Sequence, residues 1–409
     1  MRTRPFSIAF IVRDPLPPLR ADLATLFGAE MPRHGVQTEL VGQGGSLDGK
    51  PWRAGGMHIV GSLRSRFASV LAPLWDALGL LRAWRRARPD CIQVRDKVGS
   101  ALLGLLAARL LHLPFVYWMS FPIVEGFEVR RDALLGQYRL LAWSGHALRA
   151  WLARPVIYRL VLPRADHVFV QSEAMRDWLA TRGIALERMT PVPMGVDAAL
   201  FDRAAIKPST DPRLAGRRVV LYLGRVARSR RSDFLLDVAE RLRLQLPEVL
   251  LVIAGEAPSP DEMVWMRHAI AGRGLGHHVL FTGWLTQARA LGYAVRAEVG
   301  LSPIPRGVLF DVSSPTKLVE YLALGIPGVA NDIPDQRRVI EESGAGLCVP
   351  MQADAFADAT LRLLREPELA ARCAERGPPW VRAHRTYDIL AREVASAYQR
   401  ILTPCGPGR

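Results

Sequence analysis

Two short stretches of this 409-residue chain combine residue types that can hold an anion. The first is LYLGRVARSRRSDFLL, residues 221–236, an apolar run that ends in Gly224-Arg225 and continues through Arg228, Arg230 and Arg231 into an amphipathic pattern. Guanidinium groups clustered at the carboxyl end of a buried strand suit a diphosphate, which accepts paired, charge-assisted hydrogen bonds. A solvated basic turn is the plainer reading of that stretch taken alone. The second stretch is DVSSPTKLVEYLALGIPGVA, residues 311–330. Ser313 and Ser314 are N-cap candidates, Pro315 fits a first helical turn, and Gly325 with Pro327 beyond it ends the helix. The helix start offers backbone N–H groups and the positive end of a dipole, and Lys317 adds a point charge. One acid, Glu320, sits among the apolar residues. Both stretches follow apolar runs of strand type, which predicts that they meet at one cleft edge and converge on one anion.

The elements that must position them alternate along the chain. Seven apolar runs predict strands at 6–12, 36–42, 57–62, 91–95, 115–120, 166–172 and 189–195. Helical patterns lie between them at 20–33, 66–87, 99–112 and 173–182. A polar, Pro-containing stretch at 196–216 predicts a linker. A second series then predicts strands at 217–224, 249–255, 278–283, 297–303, 326–331 and 346–350, helices at 231–246 and 286–294, and two closing helices at 353–365 and 384–402. Short buried strands separated by helices argue for parallel sheets covered on both faces. The predicted class is therefore α/β, with two doubly wound, Rossmann-like domains facing across a cleft. Ligands in such sheets bind at the carboxyl ends of the strands. Domain bounds fall at 1–200, 201–380 and 381–409, the last a closing helix packed back on the first domain.

Composition narrows the function. With 49% hydrophobic and 23% charged residues the chain can bury two cores, which excludes a disordered protein. FSIAFIV is too short for a signal-peptide core, and the apolar stretch 101–121 is interrupted by Arg109, His112 and Pro114, so it predicts a helix followed by a strand. The four cysteines, at 91, 348, 373 and 405, show no metal-ligand spacing. Reduced thiols, a cytoplasmic location and no metal are the expectation. Net charge is +15, with 27 Lys and Arg against 17 Asp and Glu over residues 1–205. Residues 127–164 combine arginines with Trp143 and Trp151. That pattern fits either an anionic membrane surface or core helices with a wet basic face. The basic residues lack stacking aromatics or a recognition-helix pattern, so no nucleic-acid partner is expected.

The second half resembles the family-4 retaining glycosyltransferases of the GT-B fold. The resemblance rests on LYLGRVARSRRSDFLLDVAERL, VLLVIAGEAP, VLFTGWL, SSPTKLVEYLALGIPGVA and SGAGLCVP, and in the first half on DHVFVQSEAMRDWL and PVPMGVDAALF. It covers roughly residues 165–350, and earlier residues match in their strand–helix layout. The resemblance implies an acceptor domain followed by a nucleotide-sugar donor domain. It places Arg225 and Arg230 on the donor diphosphate and Glu320 on the ribose hydroxyls, as the second acid of the family's Glu-x7-Glu pattern. Gly224, Ser313, Ser314, Pro315, Thr316, Lys317 and Leu318 would complete the donor site. Position 312, where the first acid belongs, is Val312, and the adjacent Asp311 is a candidate replacement. The histidine usual near 117–122 is absent. Trp118, Ser120, Glu125, Arg13 and Asp14 are the acceptor-side candidates, each equally readable as a packing or loop residue. The implied activity is sugar transfer from a UDP- or GDP-linked donor to a glycan or lipid-linked acceptor in surface polysaccharide assembly, without a metal. The enzyme would be cytoplasmic, with residues 127–164 against the inner face of the membrane. The sequence leaves open a nucleotide-sugar epimerase of the same fold and a non-catalytic nucleotide- or glycan-binding relative.

Overall fold

The computed structural model describes residues 4–45, 52–65, 68–135 and 140–403; Arg139, Cys405 and the TPCGPGR end beyond 403 lie outside them. The chain divides into two compact units. One runs to Met194 and takes in the chain from Tyr387 on, and the other is Gly195–Thr386.

The first unit is built on seven strands, β1 (Phe6–Ile11), β2 (Val36–Gly44), β3 (Met57–Ser62), β4 (Cys91–Arg95), β5 (Phe115–Met119), β6 (His167–Val170) and β7 (Met189–Pro191). They pair in the order β3-β2-β1-β4-β5-β6-β7, all parallel. Every residue of β4 and β5 is buried, so β5 is an unbroken apolar run, and the polar Gln93 and Arg95 of β4 are buried with partners. The Tyr387–Leu402 helix shares this core: Tyr398 packs 5.2 Å from Phe169 and its hydroxyl donates to Gln93 on β4.

The second unit has six strands, β8 (Arg218–Leu223), β9 (Val249–Ala254), β10 (Val279–Gly283), β11 (Val299–Ser302), β12 (Gly328–Asn331) and β13 (Gly346–Val349), in the order β10-β9-β8-β11-β12-β13. All thirteen strands overlap the predicted runs. Each sheet reverses direction once, between β1 and β4 in the first unit and between β8 and β11 in the second. Such switch points open a crevice at the strand ends.

Some expectations need correction. The stretch 196–216 is no free linker. Phe201, Ile206 and Leu214 pack into the second core, and Arg203 donates to the carbonyls of Leu324 (2.8 Å) and Val295 (3.0 Å). The units change over at Met194/Gly195 and Thr386/Tyr387 rather than at 200 and 380, because Val196 bridges to Thr386 and its N–H bonds the Arg385 carbonyl at 2.8 Å. Helices at Pro260–Gly272, Pro334–Ser343 and Pro367–His384 add to those the sequence pattern predicts. The last runs through Pro378 and Pro379.

Candidate functional site

At the second switch point β8 and β11 pair only through Val299–Val220 and Gly300–Leu221 and then part. Tyr321 fills the opening. Its hydroxyl accepts from the Leu223 N–H at 2.7 Å and donates to the Leu301 carbonyl at 3.2 Å, taking the place of ladder bonds. The ring needs Gly300 beneath it, where any side chain would collide. Just past β8, Gly224 has φ 140°, and a Cβ there would lie 3.3 Å from Cδ and 3.5 Å from Nζ of Lys317. The absent side chain at Gly224 therefore leaves room for the Lys317 ammonium.

Lys317 is buried, 8% exposed, with its ammonium 5.1 Å from the centre of the Tyr222 ring. Among the described residues it has no ion-pair or hydrogen-bond partner. Burial pushes its pKa down to about 8, the Arg230 charge adds to that, and Glu320 opposes it. Glu320, one turn further along the same helix, is half-buried and has no side-chain partner among the described residues; burial pushes its carboxyl up to about 6 against the pull of Lys317. A buried cation without a counter-ion is costly unless a ligand supplies the charge.

The arginines after β8 divide into two pairs. Arg228 is drawn onto the Pro260–Gly272 helix: its N–H donates to Glu262 at 2.9 Å and its guanidinium lies 4.9 Å from the Trp265 ring. Arg231, left-handed at φ 53°, pairs with Asp233 at 3.5 Å. Arg225 is exposed and Arg230 half-buried, 6.0 Å over the Phe310 ring. Among the described residues neither guanidinium has an ion-pair or hydrogen-bond partner, so these two remain available to a ligand.

The helix start differs from expectation in its caps. The helix is Thr316–Ala323, Pro315 occupies the N-cap in an extended conformation, and no side chain caps it. Ser313 donates instead to the Phe310 carbonyl at 2.7 Å. Ser314 donates to Asp335 at 2.9 Å and accepts from Arg385 at 3.2 Å, while Arg385 and Asp335 form a buried 2.8 Å ion pair. This triad fixes the loop and leaves the first-turn N–H groups of the helix uncapped, an anion-binding geometry. Leu318 belongs to the core, against Gly328, so only its backbone can serve a ligand. Val312 is buried, and Asp311 is engaged by Arg306 at 2.8 Å and by the Gly307 N–H at 3.3 Å, so it does not stand free in place of the missing acid.

The first switch point carries charge of a different kind. Arg95, fully buried at the end of β4, pairs with Asp22 at 2.6 Å, Asp14 at 3.6 Å and Asp96 at 3.8 Å, and its Nε donates to Ser120 at 3.2 Å. Asp96, left-handed at φ 47°, accepts the Ser120 N–H at 3.0 Å and its hydroxyl. Burial pushes the Asp96 carboxyl up. It acts on Asp22 in the same direction, but Arg95 and Arg20 overcome it and hold Asp22 at about 2. Lys97 is likewise neutralised, 2.7 Å from Asp76. Asp14 and Ser120 thus join a cluster with Arg95, Asp96 and Asp22, which sequence reasoning missed; the charged residues at the end of β4 were the signal. Arg13 is exposed beside it. Two candidates fall out. Trp118 is a core residue, with ring centres 5.1 Å from Phe27 and 5.0 Å from Phe169. Glu125 is a buried clamp, accepting from Tyr158 at 2.6 Å with Arg154 at 3.7 Å and Arg182 at 3.9 Å.

Two doubly wound units, one with cations at its switch point that lack a counter-ion among the described residues, define a two-domain α/β protein. The comparisons with known proteins agree with that class. Residues 217–366 match the family model described as Glycosyl transferases group 1, and residues 24–195 match the Glycosyl transferase 4-like domain. The chain belongs to the family-4 glycosyltransferases of the GT-B fold, and it is a glycosyltransferase. It is 27% identical over 357 residues, 83% of this chain and 90% of the relative, to the GDP-mannose-dependent alpha-(1-6)-phosphatidylinositol monomannoside mannosyltransferase of Mycobacterium tuberculosis. It is 29% identical over 190 residues to the alpha-D-kanosaminyltransferase of Streptomyces kanamyceticus; that match covers 46% of this chain and spans about half of the relative (47%). Sucrose-phosphate synthase from Thermosynechococcus elongatus superposes with TM-score 0.70 at 18% identity over 97% of this chain and 99% of that one, a likeness of fold.

Proposed function

We propose that this enzyme moves a sugar, with retention, from a nucleoside-diphosphate sugar to a lipid-linked or membrane-proximal glycan acceptor in surface polysaccharide assembly. The observation that carries the donor half is Lys317, a buried ammonium without a counter-ion beside Arg230 and an uncapped helix start. As the bond from the anomeric carbon to the diphosphate oxygen breaks, negative charge grows on the leaving diphosphate. Arg225, Arg230, Lys317 and the first-turn N–H groups of the Thr316–Ala323 helix stabilise it electrostatically, in place of a metal. Glu320 accepts the ribose hydroxyls. The donor is UDP- or GDP-linked; the relative named for GDP-mannose makes GDP the first nucleotide to test.

Support for the acceptor half is the phosphatidylinositol-based acceptor in that relative's name and the basic, aromatic sequence pattern of residues 127–164. Among the described residues no helix is long and apolar enough to cross a membrane. The working position proposed is peripheral, at the cytoplasmic face.

The test is thermal unfolding with UDP, GDP, ADP and dTDP, with and without a divalent metal, for the native chain and Arg225→Ala. A metal-independent rise with one nucleotide, lost in the variant, identifies the donor class by mass action. No rise with any nucleotide would refute the proposed site. Product analysis without acceptor separates transfer from epimerisation.

A further inference from the structure

Two neighbouring helices of the first unit carry an apolar stripe on each side, although packing on the sheet uses one. On Ala68–Ala87, Val70, Leu74, Leu78 and Leu81 recur at helical spacing and all are exposed, Val70 by 72%. The opposite side, with Leu80 and Ala83, is the buried one. Val98–Leu110 repeats the pattern: Leu102, Leu106 and Leu110 are exposed while Ala101, Leu105 and Ala108 are buried. These two helices pack against each other, and the second also contacts the Val156–Val161 segment that continues the Leu140–Pro155 helix. That third helix adds Leu148, Leu152 and Trp151, the tryptophan 73% exposed. Single exposed leucines need no explanation, but stripes on adjoining helices mark an interaction surface.

Charge selects the partner. The three helices contain one acidic residue, Asp76, which is buried and bonded to Lys97, Gln43 and Ser100. Their exposed charges are arginines, among them Arg82, Arg85 and Arg149. Glu128 and Asp166 on adjoining elements are taken up by Arg154 at 2.7 Å and Arg109 at 3.0 Å. A second copy of this face would set arginine against arginine. An anionic bilayer accepts both features, leucines at the acyl boundary and guanidinium groups at the phosphates.

We infer that the outward face of the Ala68–Ala87 and Val98–Leu110 helices is a bilayer-docking surface selective for anionic lipid. It deepens the membrane-proximal part of the proposed function by placing the main contact outside residues 127–164, and it does not depend on the nucleotide site.

The test is flotation of the full chain with phosphatidylcholine vesicles, with and without phosphatidylglycerol, at moderate salt. The paired substitutions Leu74→Gln with Leu78→Gln, and Leu106→Gln with Leu110→Gln, should each lower binding to the anionic vesicles roughly tenfold or more, with unchanged thermal unfolding. Arg82→Ser with Arg85→Ser, which leaves the stripes intact, should abolish the preference for phosphatidylglycerol even if a leucine pair impairs folding. Native binding by both leucine pairs, with loss only in Leu141→Gln plus Trp151→Gln, would overturn the inference and leave the 127–164 reading standing. No vesicle binding by the native chain would overturn both. A concentration-dependent dimer lost in the leucine pairs would reassign the face to a second copy.

Discussion

The two switch points treat charge in opposite ways. In the first unit the buried Arg95 and the half-buried Lys97 have carboxylates already at contact distance, Asp22 at 2.6 Å and Asp76 at 2.7 Å. In the second, Lys317 is buried and, among the described residues, no carboxylate touches it. A self-neutralised cluster gains little from an anion and can offer oriented hydroxyl and carboxylate groups to a neutral polyol. An uncompensated cluster carries a standing electrostatic penalty that an arriving diphosphate relieves. The difference separates a rigid framework from a binding site more sharply than the count of charged residues does, since both clusters are rich in them.

The largest expected effect breaks the framework side of this contrast. Arg95→Met removes the buried cation shared by Asp14, Asp22 and Asp96, leaving Asp14 and Asp22 with Arg20 alone at 3.7 and 3.0 Å, and should destabilise the first unit by about 3–5 kcal/mol, the usual cost of removing one partner from a buried ion pair. Denaturant unfolding checks it, and a native midpoint would mean that the cluster is solvated. Lys317→Met should act in reverse. The ammonium sits at about 8 against an ordinary 10.5, so its removal should raise unfolding free energy at pH 7 by roughly 1–3 kcal/mol while abolishing nucleotide-induced stabilisation. Loss of stability on this substitution would contradict an uncompensated charge. In the native chain the same group gives stability a sign: the unfolded state binds more protons between about pH 8 and 10.5, so the Lys317 contribution grows as pH rises through that window.

Arg225→Ala probes an exposed, unpaired group. Nucleotide affinity should fall by about 1.5–3 kcal/mol, the worth of a hydrogen bond to a charged group, with apo stability unchanged in the same titration series. The smallest effect sharpens the roles within the site. Nucleoside-diphosphate affinity of the native chain should rise with pH through about 6, as Glu320 ionises, and decline beyond about 8, as Lys317 loses its proton. Glu320→Gln should flatten the acidic limb alone. Calorimetric titrations across pH would show whether the two limbs belong to these two groups.

Much of the fold is legible in the residues alone. Most of the thirteen strands stand out because β-strands buried on both faces need largely apolar runs, and glycine or proline punctuates them; β3 and β13 are only partly buried. Gly224-Arg225 and the 313–320 stretch are equally visible, since a strand end, an arginine cluster and a helix start are local patterns. Other features are hidden by distance along the chain. Nothing near Ser314 announces that Asp335 and Arg385, 21 and 71 residues away, will claim its hydroxyl. Nothing near Arg228 shows that Glu262 and Trp265 will hold it while Arg230 has no ion-pair or hydrogen-bond partner among the described residues. Trp118 and Glu125 are plausible ligands by residue type, and only packing against Phe27, Phe169, Tyr158 and Arg154 makes them structural.

The sequence by itself determined the periodicities, and through them the two doubly wound sheets and the segments that reach their switch points. Hydrophobic burial and backbone geometry act within a few residues, so these could be read directly. Tertiary structure decided which charges are neutralised and which are left open, because Coulomb and hydrogen-bond energies depend on distances that fold topology sets between residues remote in the chain. The same holds for the leucines at 74 and 78: their spacing announces a helix face, and only the folded unit shows that this face looks outward.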